Sequence, residues 1–263
     1  MSTSDFCTMM FKKHPSYVKC FEKTLPSSFK NVYNLYALLM AETRTKREYT
    51  DAGRKLSAGR LYKTRLNNPN IFVKKSYAPG VNSSLTWLID NSGSMGKNKT
   101  ISACVSAAMI LQLSTAFNIP LEILGFTEAL NYGPINCVYK SFDKPCSIEI
   151  LFERMASSQR YKIQNSDGDS ILWAWHRTLR SKSKRKLLTV ISDGSPAADK
   201  SGDIYGYTKD VVRMIEQDKR VEIYGVGVED NAVQRIYTNF ELIEDASDLE
   251  DAMLKLFKQY ILM

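Results

Sequence analysis

Leu85-Thr86-Trp87-Leu88-Ile89-Asp90-Asn91-Ser92-Gly93-Ser94-Met95 is a mostly apolar run that stops at an acid and passes into a Ser/Gly turn. A run this short and this apolar reads as a strand buried on both faces. Outward from it the same rhythm repeats. A helix is predicted near 99–117, a strand at Leu121–Phe126, and a helix near 169–180. A strand at Leu187–Ile191, a helix near 208–218, strands at Val221–Val228 and Phe240–Ile243, and a helix over 247–260 follow. Continuous apolar strands separated by helices predict an α/β domain, a doubly wound and mostly parallel sheet of Rossmann-like type flanked by helices. The helix from Ile101 to Phe117 is apolar nearly all round, which predicts burial. In open sheets of this kind ligands sit at the carboxyl ends of the strands, so function is sought there.

Upstream the pattern differs. Residues 1–26 read as irregular, with Pro15 and Pro26 as punctuation. From Ser27 to about Arg47, Phe29, Val32, Tyr33, Tyr36, Leu39 and Met40 recur at helical spacing and predict an amphipathic helix. A second short helix is expected over 51–66, broken by Asn67-Asn68-Pro69-Asn70, then a strand from Ile71 to Tyr77. The chain thus divides into a basic, mainly helical extension over 1–82 and the α/β domain over 83–263. With 263 residues, one such domain plus a modest extension is what the length allows.

Composition narrows the class. Hydrophobic content of 44% and charged content of 24% suit a folded chain and argue against disorder. Cys7, Cys20, Cys104, Cys137 and Cys146 are odd in number and never spaced C-x-x-C, which argues against a disulfide framework or a structural zinc site. No run approaches the ~18 apolar residues of a membrane span, and no leader-like stretch opens the sequence. The expected location is the cytoplasm, with no membrane partner. The net charge of +8 is uneven: residues 1–82 hold 15 basic and 5 acidic side chains, the remainder 21 and 23. The basic excess belongs to the extension, where a solvated face is the plain explanation.

Three loops offer oxygen ligands at predicted strand ends. The first is Asp90-Asn91-Ser92-Gly93-Ser94-Met95, the second Asp167-Gly168-Asp169-Ser170, the third Asp193-Gly194-Ser195. A strand-end Asp with hydroxyls two and four residues later can wrap one ion, Gly93 easing the turn. Hard oxygen donors suit Mg²⁺, or Mn²⁺ or Ca²⁺ in its place, and no soft or imidazole donor joins them to favour zinc. The expected ligands are Asp90, Ser92, Ser94, Asp169 and Asp193. Three carboxylates exceed the charge of a divalent ion, so at least one is expected to act through water and leave a coordination position for an acidic residue of a partner. The plain alternative is three polar turns with N-capping Asp and Ser.

Asp90-x-Ser92-x-Ser94 resembles the metal-ion-dependent adhesion site (MIDAS) of von Willebrand factor A (VWA) domains. The wider sequence is similar to the C-terminal domain of the CobT subunit of aerobic cobaltochelatase. The similarity lies in Leu88–Met95, Leu121-Glu122-Ile123-Leu124-Gly125-Phe126-Thr127, Asp167-Gly168-Asp169 ahead of Leu172-Trp173-Ala174, and Ile191-Ser192-Asp193-Gly194-Ser195-Pro196. Arg60-Leu61 fits that family's upstream Arg-Leu segment, and the resemblance covers roughly residues 50–260. Compact forms of this kind are also similar to reading frames of large tailed phages. The resemblance implies a VWA fold and a metal-binding, non-catalytic interaction subunit of cobalamin biosynthesis. It further implies a CobS-like AAA+ ATPase as partner, in a chelatase-like or remodelling complex. The large acidic N-terminal region of CobT has no counterpart, and Asp169 stands where many VWA domains use Thr.

Other function classes fit less well. No phosphate-binding Gly-x4-Gly-Lys-Ser/Thr loop and no Gly-x-Gly-x-x-Gly fingerprint occurs. A phosphoryl-accepting Asp of the haloacid-dehalogenase kind needs a second Asp two residues on, where this chain has Ser92. His14 and His176 are the only histidines, and no Ser/His/Asp set forms around them. Nucleic acid is the alternative partner. The basic segment interleaves Tyr17, Phe21, Tyr33, Tyr36 and Tyr62 with Lys and Arg, and Arg180–Lys186 adds a second cluster.

Overall fold

The computed structural model describes residues 46–76, 82–129, 133–161, 164–193, 196 and 203–262. The helix expected over Ser27–Arg47 lies outside them except for its last two positions, as do Tyr77 and Gly194-Ser195 of the third loop. The described residues fall in two compact units, one within Asn34–Val81 and one within Asn82–Met263.

In the smaller unit β1 (Lys46–Thr50) pairs antiparallel with β2 (Phe72–Ser76), Lys46 facing Ser76 and Thr50 facing Phe72. Lys46 and Arg47 are therefore strand, where a helix end was expected. The connection carries a 3-10 helix, Ala58–Leu66, closed by Asn67 at φ 52°. A longer helix was expected over 51–66. None of the 3-10 helix's residues is buried, so no packed face stabilises an α-helical continuation. The Arg60 guanidinium stacks on the Tyr49 ring at 3.4 Å.

The larger unit is built on six strands in the order β5-β4-β3-β6-β7-β8. These are β3 (Ser83–Asp90), β4 (Leu121–Ala129), β5 (Gly133–Lys140), β6 (Arg185–Ser192), β7 (Glu222–Val228) and β8 (Phe240–Ile243). All neighbours run parallel except β4 and β5, which run antiparallel. Every residue of β3 is buried, the polar Ser83, Ser84, Thr86 and Asp90 along with the apolar ones. The helices are α1 (Gly96–Ala116), α2 (Ile148–Ser158), α3 (Asp167–Thr178), α4 (Ile204–Asp218), the single turn α5 (Val233–Ile236) and α6 (Leu249–Leu262).

Alternating strand residues serve the two faces. Leu88, Leu124, Phe126, Leu188, Val190 and Ile223 form one core with Ile171, Ala174 and Trp175 of α3 and Val211, Val212 and Ile215 of α4. On the other face α1 packs against α2 and α6. Twelve residues of α1 are buried, as its all-round apolarity predicts. Neither β5 nor α2 was foreseen. β5 is half-exposed along most of its length at the sheet edge, where Pro134 is tolerated. α2 follows a short loop and is capped by Ser147, whose hydroxyl accepts from the Ile150 N–H. No described helix is long and apolar enough to cross a membrane. The sheet order puts β3 between β4 and β6, so the loops after these strands meet at one edge.

Candidate metal centre

Asp90 ends β3 and is 1% exposed. The chain then turns sharply: the Ser92 N–H donates to Asp90 Oδ1 at 2.6 Å, and Ser92 leads a 3-10 turn, Gly93–Met95, that runs into α1. This local turn brings the Ser92 and Ser94 hydroxyls to 2.8 Å from each other. Ser94 Oγ donates to Asp193 Oδ1 at 2.7 Å, across from the end of β6. Ser192 Oγ donates to Asp90 Oδ2 at 3.2 Å and Asn165 Nδ2 to the same oxygen at 3.5 Å. Asp90, Ser92, Ser94 and Asp193 thus form one oxygen-lined cluster.

A polar chain ties this loop to the sheet beneath. The Asn91 N–H donates to Phe126 O at 2.8 Å, continuing the pairing with β4. Asn91 Nδ2 donates to the Tyr139 hydroxyl, which donates to Ser158 Oγ at 2.8 Å, and Ser158 Oγ donates to Met155 O. Tyr139 is fully buried, and burial holds its phenol well above the usual value. Tyr139→Phe leaves the Asn91 amide and Ser158 short of a partner without creating a cavity. It is expected to cost about 1–3 kcal/mol of stability, read as a lower urea midpoint at unchanged m.

The second loop is positioned by β4. Gln164 pairs with Glu128 through two backbone bonds of 2.7 and 3.2 Å, and Thr127 Oγ1 donates to Gln164 O at 3.0 Å. The segment therefore runs beside the strand end before α3 begins at Asp167. Two carboxylates stand in this turn, and they face different surroundings. Asp167 is 4% exposed, and its Oδ1 has no hydrogen-bond partner among the described residues. Burial pushes its carboxyl well above the ordinary range, with the negative charges of Asp90 and Asp193 adding to the rise and a bond from Asn165 opposing it. Asp169 is half-buried and holds Tyr207: the phenol donates to Asp169 Oδ1 at 2.8 Å, and Ser166 Oγ donates to Oδ2 at 3.4 Å. The Tyr207 ring lies where a side chain at Gly168 would stand, so glycine is needed for this approach.

The electrostatics mark the cluster as short of positive charge. Burial pushes the Asp90 carboxyl up to about 7; the Asp193 charge adds to the rise, and hydrogen bonds from Ser92 and Ser192 oppose it. Buried carboxylates that repel one another are stabilised by a cation. Among the described residues no three Asp, Glu, His or Cys side chains converge on one point. An ion here would need the Ser92 and Ser94 hydroxyls beside the carboxylates, a wholly hard donor set. His176 sits exposed on α3 with its ring against Trp175, and Cys104 is buried in α1. The ligand set expected from the sequence omits Asp167, Ser192, Asn165 and Lys99, which the structure brings to this cluster. Only Asp167 left a signal, being the other acid of the Asp-Gly-Asp triplet.

Known proteins share this framework. The vWF domain of the type V pili tip protein Mfa5 from Porphyromonas gingivalis is similar over 70% of this chain and 96% of that one, with a TM-score of 0.53 and 11% identity. The pilus adhesin SpaC from Lactobacillus rhamnosus GG is similar over 72% of this chain, with a TM-score of 0.55 and 13% identity. The PilB minor pilin from Streptococcus sanguinis is similar over 73%, with a TM-score of 0.52 and 12% identity. The chain spans 32% of the SpaC chain and 66% of the PilB chain. At such identities the likeness is one of fold. The family profile described as the cobalamin biosynthesis protein CobT VWA domain matches residues 71–143 and 138–262, and so takes in all three loops. By that match, over most of its length, the chain belongs to the CobT VWA-domain family.

Proposed function

We propose that this protein is a metal-dependent interaction subunit. Asp90, Ser92, Ser94 and Asp193 hold a divalent ion of the Mg²⁺ class, with Mn²⁺ or Ca²⁺ able to stand in its place. Asp167, which feels the charges of Asp90 and Asp193, is the second loop's carboxylate and acts on the ion through water, and Asp169 shapes the rim through Tyr207. When bound, the ion supplies positive charge and a coordination position for an acidic residue of a partner. The chain's own residues fix the donor oxygens, keep them from collapsing into the sheet, and bury the carboxylates so that a cation is favoured. The observation that supports this most directly is the run of oxygens from Ser92 through Ser94 to Asp193 beside buried Asp90.

Family membership supports the rest of the reading: a subunit working with a CobS-like AAA+ ATPase in a chelatase-like or remodelling complex, whose client need not be a corrin. The test is capture of a CobS-like ATPase by the full chain, with Mg²⁺, with chelator, and with Asp90→Ala. Capture should need Mg²⁺ and should fail in the variant. Capture indifferent to both chelator and substitution removes the metal bridge.

One observation favours a second reading. On the 3-10 helix of the smaller unit, Tyr62 is 60% exposed among Arg60, Lys63 and Arg65, an arrangement suited to stacking on a nucleic acid base beside phosphate contacts. Nucleic acid binding that falls steeply with salt yet survives chelation would favour that alternative.

A further inference from the structure

Lys99 stands where a lysine is not expected. It lies in the first turn of α1, where the positive end of the helix dipole disfavours a cation. Its side chain is only 18% exposed, yet it is held on two sides. Lys99 Nζ donates to Asp193 Oδ2 at 2.9 Å and pairs with Glu229 Oε2 at 3.2 Å. The Asp193 side chain is fully covered, and its other oxygen already accepts from Ser94. Glu229 leaves β7 at φ 60°, a left-handed conformation costly for a residue with a side chain. Its N–H donates to Ile243 O at 2.7 Å. One ammonium thus joins the start of α1, the end of β6 and the end of β7, and reaches the candidate metal centre through Asp193.

The charges explain the need. Asp90, Asp167 and Asp193 bring three negative charges to a site proposed to hold a divalent ion. With the ion bound, one negative charge would remain, and a partner's carboxylate would be repelled. A fixed lysine cancels it. Glu229 offsets this only in part, because its side chain is 41% exposed and its charge is screened by solvent.

We propose that Lys99 is the built-in counter-charge of this site, a residue that does not touch the ion and makes the loaded centre receptive to a carboxylate. The inference rests on the metal-binding reading above and adds to it what sets partner affinity. A lysine present only to brace loops would affect metal and partner alike. A counter-charge separates them, since removing it favours the cation and disfavours the anion.

The test uses the full chain with Mn²⁺ as the metal and acetate as the carboxylate. Metal binding is followed by the loss of the free-ion spin-resonance signal, and acetate binding by the fall in water proton relaxation as metal-bound water is displaced. Lys99→Met should weaken acetate binding to the Mn²⁺-loaded protein about tenfold, the scale of one unit charge at short range in a partly screened medium. Its Mn²⁺ affinity should be kept or improved. Lys99→Arg should stay near wild type. Glu229→Gln should move acetate affinity the opposite way, upward by about threefold, since it leaves the lysine charge unopposed. This arm decides the matter if Lys99→Met does not fold. Unchanged acetate affinity in Lys99→Met, or unchanged or weaker acetate binding in Glu229→Gln, overturns the proposal. Wild-type protein that binds Mn²⁺ while the variants behave so leaves the metal-binding reading standing. Wild-type protein that binds no Mn²⁺ overturns both.

Discussion

Gly125→Ala is expected to cost about 3–5 kcal/mol and to detach the Asp90–Met95 loop from the sheet. Gly125 sits in the middle of β4, opposite Ile89 of β3 and Cys137 of β5. A methyl group there would land on the Tyr139 hydroxyl and ring edge and on the Asn91 amide. Neither neighbour has room to retreat. Tyr139 is fully buried, and Asn91 is pinned by its N–H to Phe126 O. Overpacking alone costs about 1–3 kcal/mol, and each buried polar group left unpaired adds a similar amount. Chemical unfolding reads the stability loss, and Mn²⁺ titration of the folded fraction reads the displaced loop. Gly59→Ala is the control, since nothing lies within 4 Å of a side chain added there, and it should stay within about 0.5 kcal/mol. In a Tyr139→Phe background the methyl meets one atom fewer. The two costs should then add to less than their sum, by about 1 kcal/mol. Full additivity would place the strain elsewhere.

The same residue shows how far the sequence could be read. Gly125's own strand β4 and its neighbour β3 are buried on both faces, so their runs are mostly apolar and announce a parallel sheet with helices between. Tyr139, the neighbour that makes glycine necessary, lies on β5, which the sequence does not announce. Its Gly-Pro start, its mixed polar and apolar residues and its edge position leave neither a buried-strand run nor a clean alternation. The candidate site divides in the same way. Asp90, Ser92 and Ser94 are related by one turn after one strand, and local chemistry fixes their spacing. Asp193 follows an equally plain strand. What brings Ser192 and Asn165 onto Asp90, or Lys99 onto Asp193, is strand order and the path of a loop across about a hundred residues. Periodicity carries no trace of that. In the second loop the choice between Asp167 and Asp169 depends on which residue begins α3, a boundary that pattern alone places only to within a residue or two.

That choice yields a crossing pair of melting curves. Without metal, Asp167→Asn should melt about 2–8 °C above wild type, and with saturating Mg²⁺ it should melt below. Asp167 is buried beside two other carboxylates with one oxygen unpartnered, so its charge works against folding at neutral pH. The direction follows from the raised proton affinity: as pH rises past the ordinary carboxylate range the unfolded chain sheds this proton more readily than the folded one, so stability falls. An amide of the same shape removes the charge. Relief of about 1–2 kcal/mol corresponds to that shift in a chain of this size. The charge that is costly without metal is what attracts the ion, so the variant should bind Mg²⁺ about 10–100-fold more weakly. Wild-type protein at a hundred times its dissociation constant gains about 2.7 kcal/mol, and the variant forfeits most of that gain. Asp169→Thr should behave differently. It releases the Tyr207 phenol, which burial and then the Asp169 bond and charge push up to about 12, at the rim of the site. It should leave Mg²⁺ affinity within about threefold, well short of the loss expected for a coordinating group. If the two variants exchanged these outcomes, the half-buried Asp169 would be the loop's contact with the ion. Asp167 would then be a buried charge held for some other reason, because its unpartnered oxygen would remain without a cation to face.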